Sequence, residues 1–139
     1  MAEPVSLASG LLTLATFAFQ SCSALIDAVK SYRNHPQHVR DLHNELEALR
    51  GVIDSLTETA NALPDADLSS LDRPLLQCGN ACQGLQKEIV RCTSRSGADR
   101  TSFRDWAKLR YMGDNIDGFR HLIAGYKSTI TIALTDATL

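Results

Sequence analysis

Apolar residues recur every three or four positions in four separate stretches of the chain, and this spacing places them on one face of an α-helix. The stretches predict helices over about 5–32, 36–62, 71–93 and 102–137. The segments between them carry prolines and helix-capping residues, which favour helix starts there. Because no stretch of useful length alternates as a strand would, the pattern predicts an all-α fold.

Four long helices joined by short loops are typical of an up-down-up-down four-helix bundle, here with a long C-terminal helix. The apolar stripes repeat closer to every 3.5 than every 3.6 residues, which favours left-handed packing at about 20°. A chain of 139 residues is the size of one domain, so we expect a single bundle over residues 1–139. The residues expected in its core are Leu11, Leu14, Leu46, Leu49, Ile53, Cys78, Cys82, Leu85, Trp106, Ile116 and Phe119.

The first predicted helix is unusually apolar, because no charged side chain occurs from Val5 to Ile26. As a helix this stretch would be about 33 Å long, enough to cross a hydrocarbon core of about 30 Å. A signal peptide is disfavoured, since the N-terminal "MAEP" contains neither Lys nor Arg. Ser, Thr and Gln residues lie opposite the apolar stripe, which is typical of a bundle helix and makes insertion of a lone helix costly. Other copies could satisfy these polar groups, so the sequence predicts a bundle helix that can become a membrane helix.

Three large apolar residues lie seven positions apart along one flank of this helix: Leu12, Phe19 and Ile26. Seven residues correspond to nearly two full turns, so the three side chains share one side of the helix. The core stripe is already occupied inside the bundle, whereas a flank can meet a lipid chain or a neighbouring protomer. We therefore expect these residues to make membrane or oligomer contacts.

The charge pattern adds one candidate lipid site. The net charge of −2 draws the chain to neither nucleic acid nor membrane in bulk. Every charge between Asp27 and Asp41 is positive, however, and comes from Lys30, Arg33 and Arg40. This run predicts contacts with anionic lipid headgroups, with a solvated face as the alternative. Nucleic acid is not expected as a partner, because aromatic residues hardly interleave with the basic positions.

No catalytic or cofactor-binding motif is found. The sequence contains no glycine-rich phosphate loop, and nothing in it pairs a nucleophile with a base. All four cysteines lie on apolar helical stripes, where free thiols behave as small buried hydrophobes. We therefore expect reduced thiols in an intracellular protein. Cys78 and Cys82 do not have the spacing of a zinc knuckle, so the sequence predicts a non-enzyme without metal or cofactor.

Four segments resemble a known family and keep its segment order. They are "MAEPVSLASGLLTLATFAFQSCSAL", "NHPQHVRDLHNELEALRGVIDSL", "LLQCGNACQGLQKEI" and "FRDWAKLRYMGDNIDGFRHLIAGYKSTITIAL". They resemble the N-terminal HeLo-like domain of fungal STAND proteins, the counterparts of NOD-like receptors. The resemblance implies an all-helical signalling module at the front of a larger protein. It also implies a role in programmed cell death, innate immunity and heterokaryon incompatibility, with the N-terminal helix as the membrane-active part. The family pattern continues beyond Leu139, so we expect an excised domain or a short family member.

Together these features predict a cytoplasmic effector module that is recruited to the plasma membrane on activation, oligomerises and inserts its first helix. The expected partners are other copies of the chain, anionic membrane lipids, and other domains of the parent receptor or a HeLo-like effector. One alternative is a helical adaptor that binds proteins without membrane activity. Another is an inert dimerisation scaffold that uses the same apolar stripes.

Overall fold

The computed structural model describes residues 3–30, 37–96 and 116–138, and these residues form four α-helices and one short 3-10 helix. The helices are α1 (Glu3–Lys30), α2 (Gln37–Ala62), α3 (Asp72–Ser96) and α4 (Ile116–Thr138). A 3-10 turn, Ser69–Leu71, leads directly into α3. No strand occurs in the described ranges, and the predicted all-α fold is confirmed. Residues 102–115, the predicted first part of the fourth helix, lie outside the described residues.

Contacts made by α1 fix its direction relative to its two neighbours. The Cys22 thiol, about two turns before the end of α1, donates a hydrogen bond of 3.4 Å to the carbonyl oxygen of Leu46, about two and a half turns into α2. These two helices are therefore antiparallel. On the other side, Phe17 lies against Gly79, and the Cys22 thiol lies next to that of Cys82. Because the residue numbers rise along both helices from the first contact to the second, α1 and α3 are parallel.

Two ion pairs join α4 to α2. Arg120 Nη2 lies 4.0 Å from Asp41 Oδ2, and Lys127 Nζ lies 3.5 Å from Glu45 Oε1. The numbers increase together along both helices, so α2 and α4 are parallel. The four helices consequently alternate in direction, as in an up-down-up-down bundle.

The order of the helices around the bundle is α1, α2, α4, α3. α1 packs against both α2 and α3, whereas α4 packs mainly against α2 and less extensively against α3. Consecutive helices α2 and α3 therefore occupy opposite corners, and their connection crosses the end of the bundle. In a simple meander, by contrast, each helix packs against the next one in sequence.

The connection between α2 and α3 closes that end of the bundle. Leu68 and Leu71 are buried, and the 3-10 turn packs against α1, α3 and α4. The carboxylate of Asp67 organises the turn by accepting hydrogen bonds from the Ser69 hydroxyl at 2.6 Å and the Ser69 amide at 3.1 Å. These hydrogen bonds hold the pKa of Asp67 below its ordinary value, because they favour the ionised form.

The core receives side chains from all four helices. Most residues expected there from the sequence are buried in the structure: Leu11, Leu46, Leu49, Ile53, Cys78, Cys82, Leu85 and Phe119. Trp106 lies outside the described residues, and so does the side chain of Ile116. Leu14, which the stripe placed at the centre of the core, is only half-buried and packs at the core's edge.

The buried face of α1 is turned by roughly 30° from the predicted stripe, at 100° per residue. Its fully enclosed members are Leu11, Ala15, Ala18, Cys22, Leu25, Ile26 and Val29. Because α1 packs against two helices, its buried sector is wide enough to include Ala15 and Ile26. The prediction that Leu14 lies at the centre of the core is wrong, since its side chain is only half-buried.

Candidate functional site

The solvent-exposed side of α1 is the first feature of the candidate site. We define the outer face of α1 by its exposed residues Thr13, Thr16, Gln20, Ala24 and Asp27. No charge occurs on this face before Asp27. The exposed positions of α2, in contrast, include Arg40, Asp54 and Glu58. α1 therefore presents small and uncharged polar groups to solvent where a surface helix usually carries charges.

The three flank residues predicted to contact a membrane or another protomer do not form an exposed surface in the structure. Ile26 is 0% exposed, so its predicted position on a flank outside the core is wrong, whereas its predicted membrane or protomer contacts stay a prediction. Leu12 and Phe19 are half-buried and pack against the core. The physical reason is the position of α2: Arg50 of α2 donates a hydrogen bond of 3.4 Å to the Ser23 hydroxyl, on the same side of α1. This flank is therefore covered by a neighbouring helix.

α1 nevertheless has the length and composition of a membrane-spanning helix. Among the described residues, one segment is long and apolar enough to cross a membrane, namely Gly10–Lys30 with 21 residues. A core helix of a soluble bundle passes the same test, and 39% of the segment's window is buried inside the fold. The apolar side chains that would face lipid are thus turned inward in this state.

A close approach between α1 and α3 occurs at Gly79. The Phe17 ring lies so near to Gly79 that a Cβ atom added there would be only 3.1 Å from Cζ of the ring and would overlap Cδ2 and Cε2. The sequence pattern gave neither residue a role. A glycine directly after Cys78, inside the third apolar stripe, was the available signal, because glycine in a helix interior costs about 1 kcal/mol unless packing requires it.

Three thiols meet at the interface of α1 and α3. Cys22, Cys78 and Cys82 are all buried free thiols in the structure. Hydrogen bonding to Cys22, and then to Cys78, together with burial, raises the pKa of the Cys82 thiol. A raised pKa keeps the thiol protonated, and only the thiolate is a good nucleophile or metal ligand. Cys82 is therefore suited to packing rather than to nucleophilic or metal-binding chemistry.

This arrangement predicts that stability is independent of metal and of reducing agent. Thermal unfolding followed by circular dichroism should give the same Tm with a strong chelator, with reductant and without either, because buried free thiols contribute by packing alone. Buffer with neither addition is the control. A Tm that falls by several degrees with the chelator or the reductant would contradict the prediction and indicate a metal or a disulfide.

The candidate lipid-binding residues lie at one end of the bundle. Lys30 is exposed in the last turn of α1, and Arg40 is exposed near the start of α2. Because α1 and α2 are antiparallel and consecutive, these two residues share the same end. Arg33 lies outside the described residues. The structure thus places Lys30 and Arg40 at the same end of the bundle as the C-terminal end of the candidate membrane helix.

A groove opens at the opposite end, between the α2–α3 connection and α4. Its volume is about 590 Å³, and its wall on the α4 side carries Ile132, which is 63% exposed. Buried Leu68 and Leu71 contribute to its apolar lining, and Asp67 and Asp136 supply carboxylates. The sequence pattern missed this groove, since it arises where a loop crosses the end of the bundle.

The described residues offer no arrangement for metal chemistry. No group of three or more His, Cys, Asp or Glu side chains within ranges 3–30, 37–96 and 116–138 is placed to hold a metal ion. The thiol cluster does not qualify either. The features described below the level of the fold are therefore surfaces and helix–helix contacts of the described residues.

The fold and these surfaces define a class of protein first: an all-α bundle whose first helix is unusually apolar and carries no charge on its outer face before Asp27. Residues 2–139 match the model of the family described as the N-terminal domain of pigment biosynthesis cluster protein PigL, and the chain belongs to this family. It is a fungal N-terminal domain of the HeLo-like type. The predicted assignment to STAND receptors in particular stays a prediction. The searches of curated proteins and of solved structures gave no match.

Proposed function

We propose that the domain is a non-enzymatic N-terminal signalling module that acts by releasing α1 from the bundle, self-associating and inserting α1 into a membrane. The observation that carries the proposal is the charge-free run of α1 from Pro4 to Ile26, which is long enough as a helix to span a bilayer, together with an outer face that is uncharged before Asp27. Charged outer faces keep helices in water, so an uncharged one is compatible with both environments. The proposal places the protein in the cytoplasm before activation and at the plasma membrane afterwards.

Release of α1 is a necessary step, because the apolar side chains that would face lipid are inside the closed bundle. Leu25, Ile26 and Val29 are fully enclosed, and Phe19 is half-buried. Once released, this side can meet acyl chains. The outer face would then be the unfavourable side, since Thr and Gln side chains need hydrogen-bond partners in hydrocarbon. Outer faces of several copies can supply partners for one another, which links insertion to self-association.

Electrostatics would guide the first contact. Lys30 and Arg40 lie at the end of the bundle where α1 terminates, and each basic residue near an anionic membrane contributes about 1 kcal/mol. Arg33, between them in sequence, is the third basic residue of the run. Anionic lipid would thus bring the C-terminal end of α1 to the headgroups before insertion.

Vesicle assays with a charge-matched control test this proposal. The purified protein should co-sediment with anionic vesicles and release a trapped dye from them, and neutral vesicles should respond far less. Lys30→Gln with Arg40→Gln should weaken binding about 30-fold at low salt. Arg73→Gln with Lys87→Gln removes the same charge from exposed positions of α3 and should change little. High salt should lower the binding of the parent protein to the same extent.

Absence of leakage at any lipid composition would contradict membrane insertion. It would favour the second candidate function, a helical adaptor, for which the groove beside Ile132 is the specific observation. An adaptor would lose a protein partner when Ile132 is replaced by Asp, with no membrane effect in either version. Other domains of a parent receptor or a HeLo-like effector are the partners that this alternative expects.

A further inference from the structure

We propose that Phe17 and Gly79 form a latch that sets how readily α1 leaves the bundle. This inference rests on the proposed function, in which α1 must separate from α3, and it assigns the control of that step to one pair of residues. The name latch refers to these two residues only. Its basis is the contact between the Phe17 ring and the backbone of α3, where the added Cβ would overlap ring carbons.

The surroundings of the described glycines make Gly79 distinctive. A Cβ atom added at Gly10, Gly51, Gly84 or Gly125 would meet nothing within 4 Å, whereas at Gly79 it would meet the Phe17 ring. Gly79 is also buried, about two turns into α3. Glycine lowers the stability of a helix. At position 79 this cost is offset because the missing side chain lets the Phe17 ring pack directly against the backbone of α3.

Phe17 sits where release would begin. Its ring is half-buried and borders the shallow surface groove formed with Leu12, Thr13, Thr16 and Gln20, next to the outer face of α1. It therefore lies at the seam between the solvent-exposed side of α1 and α3. Deeper in the same interface lie the small thiols of the cysteine cluster, each of which buries much less area than a ring. Separation of the two helices must first withdraw the ring from Gly79.

The test compares two identical substitutions on one helix. Gly79→Ala adds a methyl group that displaces the ring. We expect the backbone amides of α1 to exchange with deuterium about tenfold faster, within the usual range of coupling between contacting side chains. Gly84→Ala is the matched control, because its methyl group meets nothing within 4 Å. It should leave exchange in α1 unchanged and raise the Tm by about 2–4 °C through helix propensity.

A second variant keeps the proposal testable if Gly79→Ala fails to fold. Phe17→Ala removes the ring without adding volume on α3 and should also accelerate exchange in α1. In the double variant the new methyl group finds space, so Gly79→Ala should have no further effect on exchange when Phe17 is already Ala. Equal exchange in Gly79→Ala and Gly84→Ala would overturn the latch, and so would fully additive effects of Phe17→Ala and Gly79→Ala.

Dye release from anionic vesicles separates this inference from the proposed function. If both hold, Gly79→Ala should release dye at about tenfold lower protein concentration than Gly84→Ala, in proportion to the faster exchange. Faster exchange in α1 without dye release from any variant would support the latch and defeat the membrane role. Dye release by the parent protein with exchange in α1 unaffected by Gly79→Ala would support the membrane role and defeat the latch.

Discussion

Replacing Ile26 by Ala should lower the free energy of unfolding by about 2–5 kcal/mol, the range for truncating a fully buried aliphatic side chain. Ile26 is 0% exposed, between neighbours that are themselves enclosed. The loss has two parts. Removed methyl and methylene groups no longer leave water on folding, and the cavity that remains is filled only partly by relaxation.

Leu12→Ala is the matched control for this experiment. Leu12 lies on the same flank of α1 but is half-buried at the edge of the core. The Leu12→Ala variant should lose less free energy of unfolding, about 1 kcal/mol, because solvent already reaches one side of Leu12 and no closed cavity forms. Denaturant unfolding of both variants, with equal m-values as the check on compactness, measures the difference. Similar small losses for the two variants would mean that Ile26 faces outward, as the seven-residue spacing alone suggested.

Thr16→Lys should abolish dye release from vesicles while leaving the fold intact. Thr16 is exposed on the outer face and lies at the middle of the uncharged run between Glu3 and Asp27. A lysine at the centre of a membrane-spanning helix costs about 2.5–3.5 kcal/mol, which corresponds to on the order of 100-fold fewer inserted helices. In the closed bundle the same lysine is solvated, so stability should change by no more than about 0.5 kcal/mol.

Ser55→Lys provides the comparison, because Ser55 is an exposed small hydroxyl residue on α2. This variant gains the same charge at a position that the proposal keeps in water, and it should release dye as the parent protein does. Circular dichroism and thermal unfolding establish that both variants are folded. Undiminished dye release by Thr16→Lys would show that α1 is not the inserting element. Equal loss in both variants would assign the effect to net charge.

The sequence pattern predicts the helices and most of the core because both depend on local periodicity. Leu46, Leu49 and Ile53 follow the period of an α-helix, and the structure buries all three. A stripe indicates which side of a helix faces inward, but not how many neighbours that side meets. The error for Ile26 has this origin: the buried sector of α1 is widened by two adjacent helices, a tertiary property.

The latch pair shows a second limit of periodicity. Phe17 lies off the apolar stripe of α1, and Gly79 has no side chain to contribute to the stripe of α3. Their contact depends on the relative height and rotation of two helices about sixty residues apart in sequence, which helical spacing within either one does not determine. The thiol cluster could be predicted from the sequence only in part. The stripes predict that each cysteine faces inward, whereas only the parallel packing of α1 and α3 brings Cys22 to Cys78 and Cys82.

The connection that crosses the end of the bundle has a consequence for the rate of folding. In a meander, most helix contacts join sequence neighbours, so small loops close first and folding is fast. Here α1 and α2 form one such local hairpin, but α3 must find α1, and α4 must find α2, across an intervening helix. Each pairing closes a longer loop at greater entropic cost. The chain should therefore refold more slowly than a meander bundle of equal length and stability, with the α1–α2 hairpin protected first.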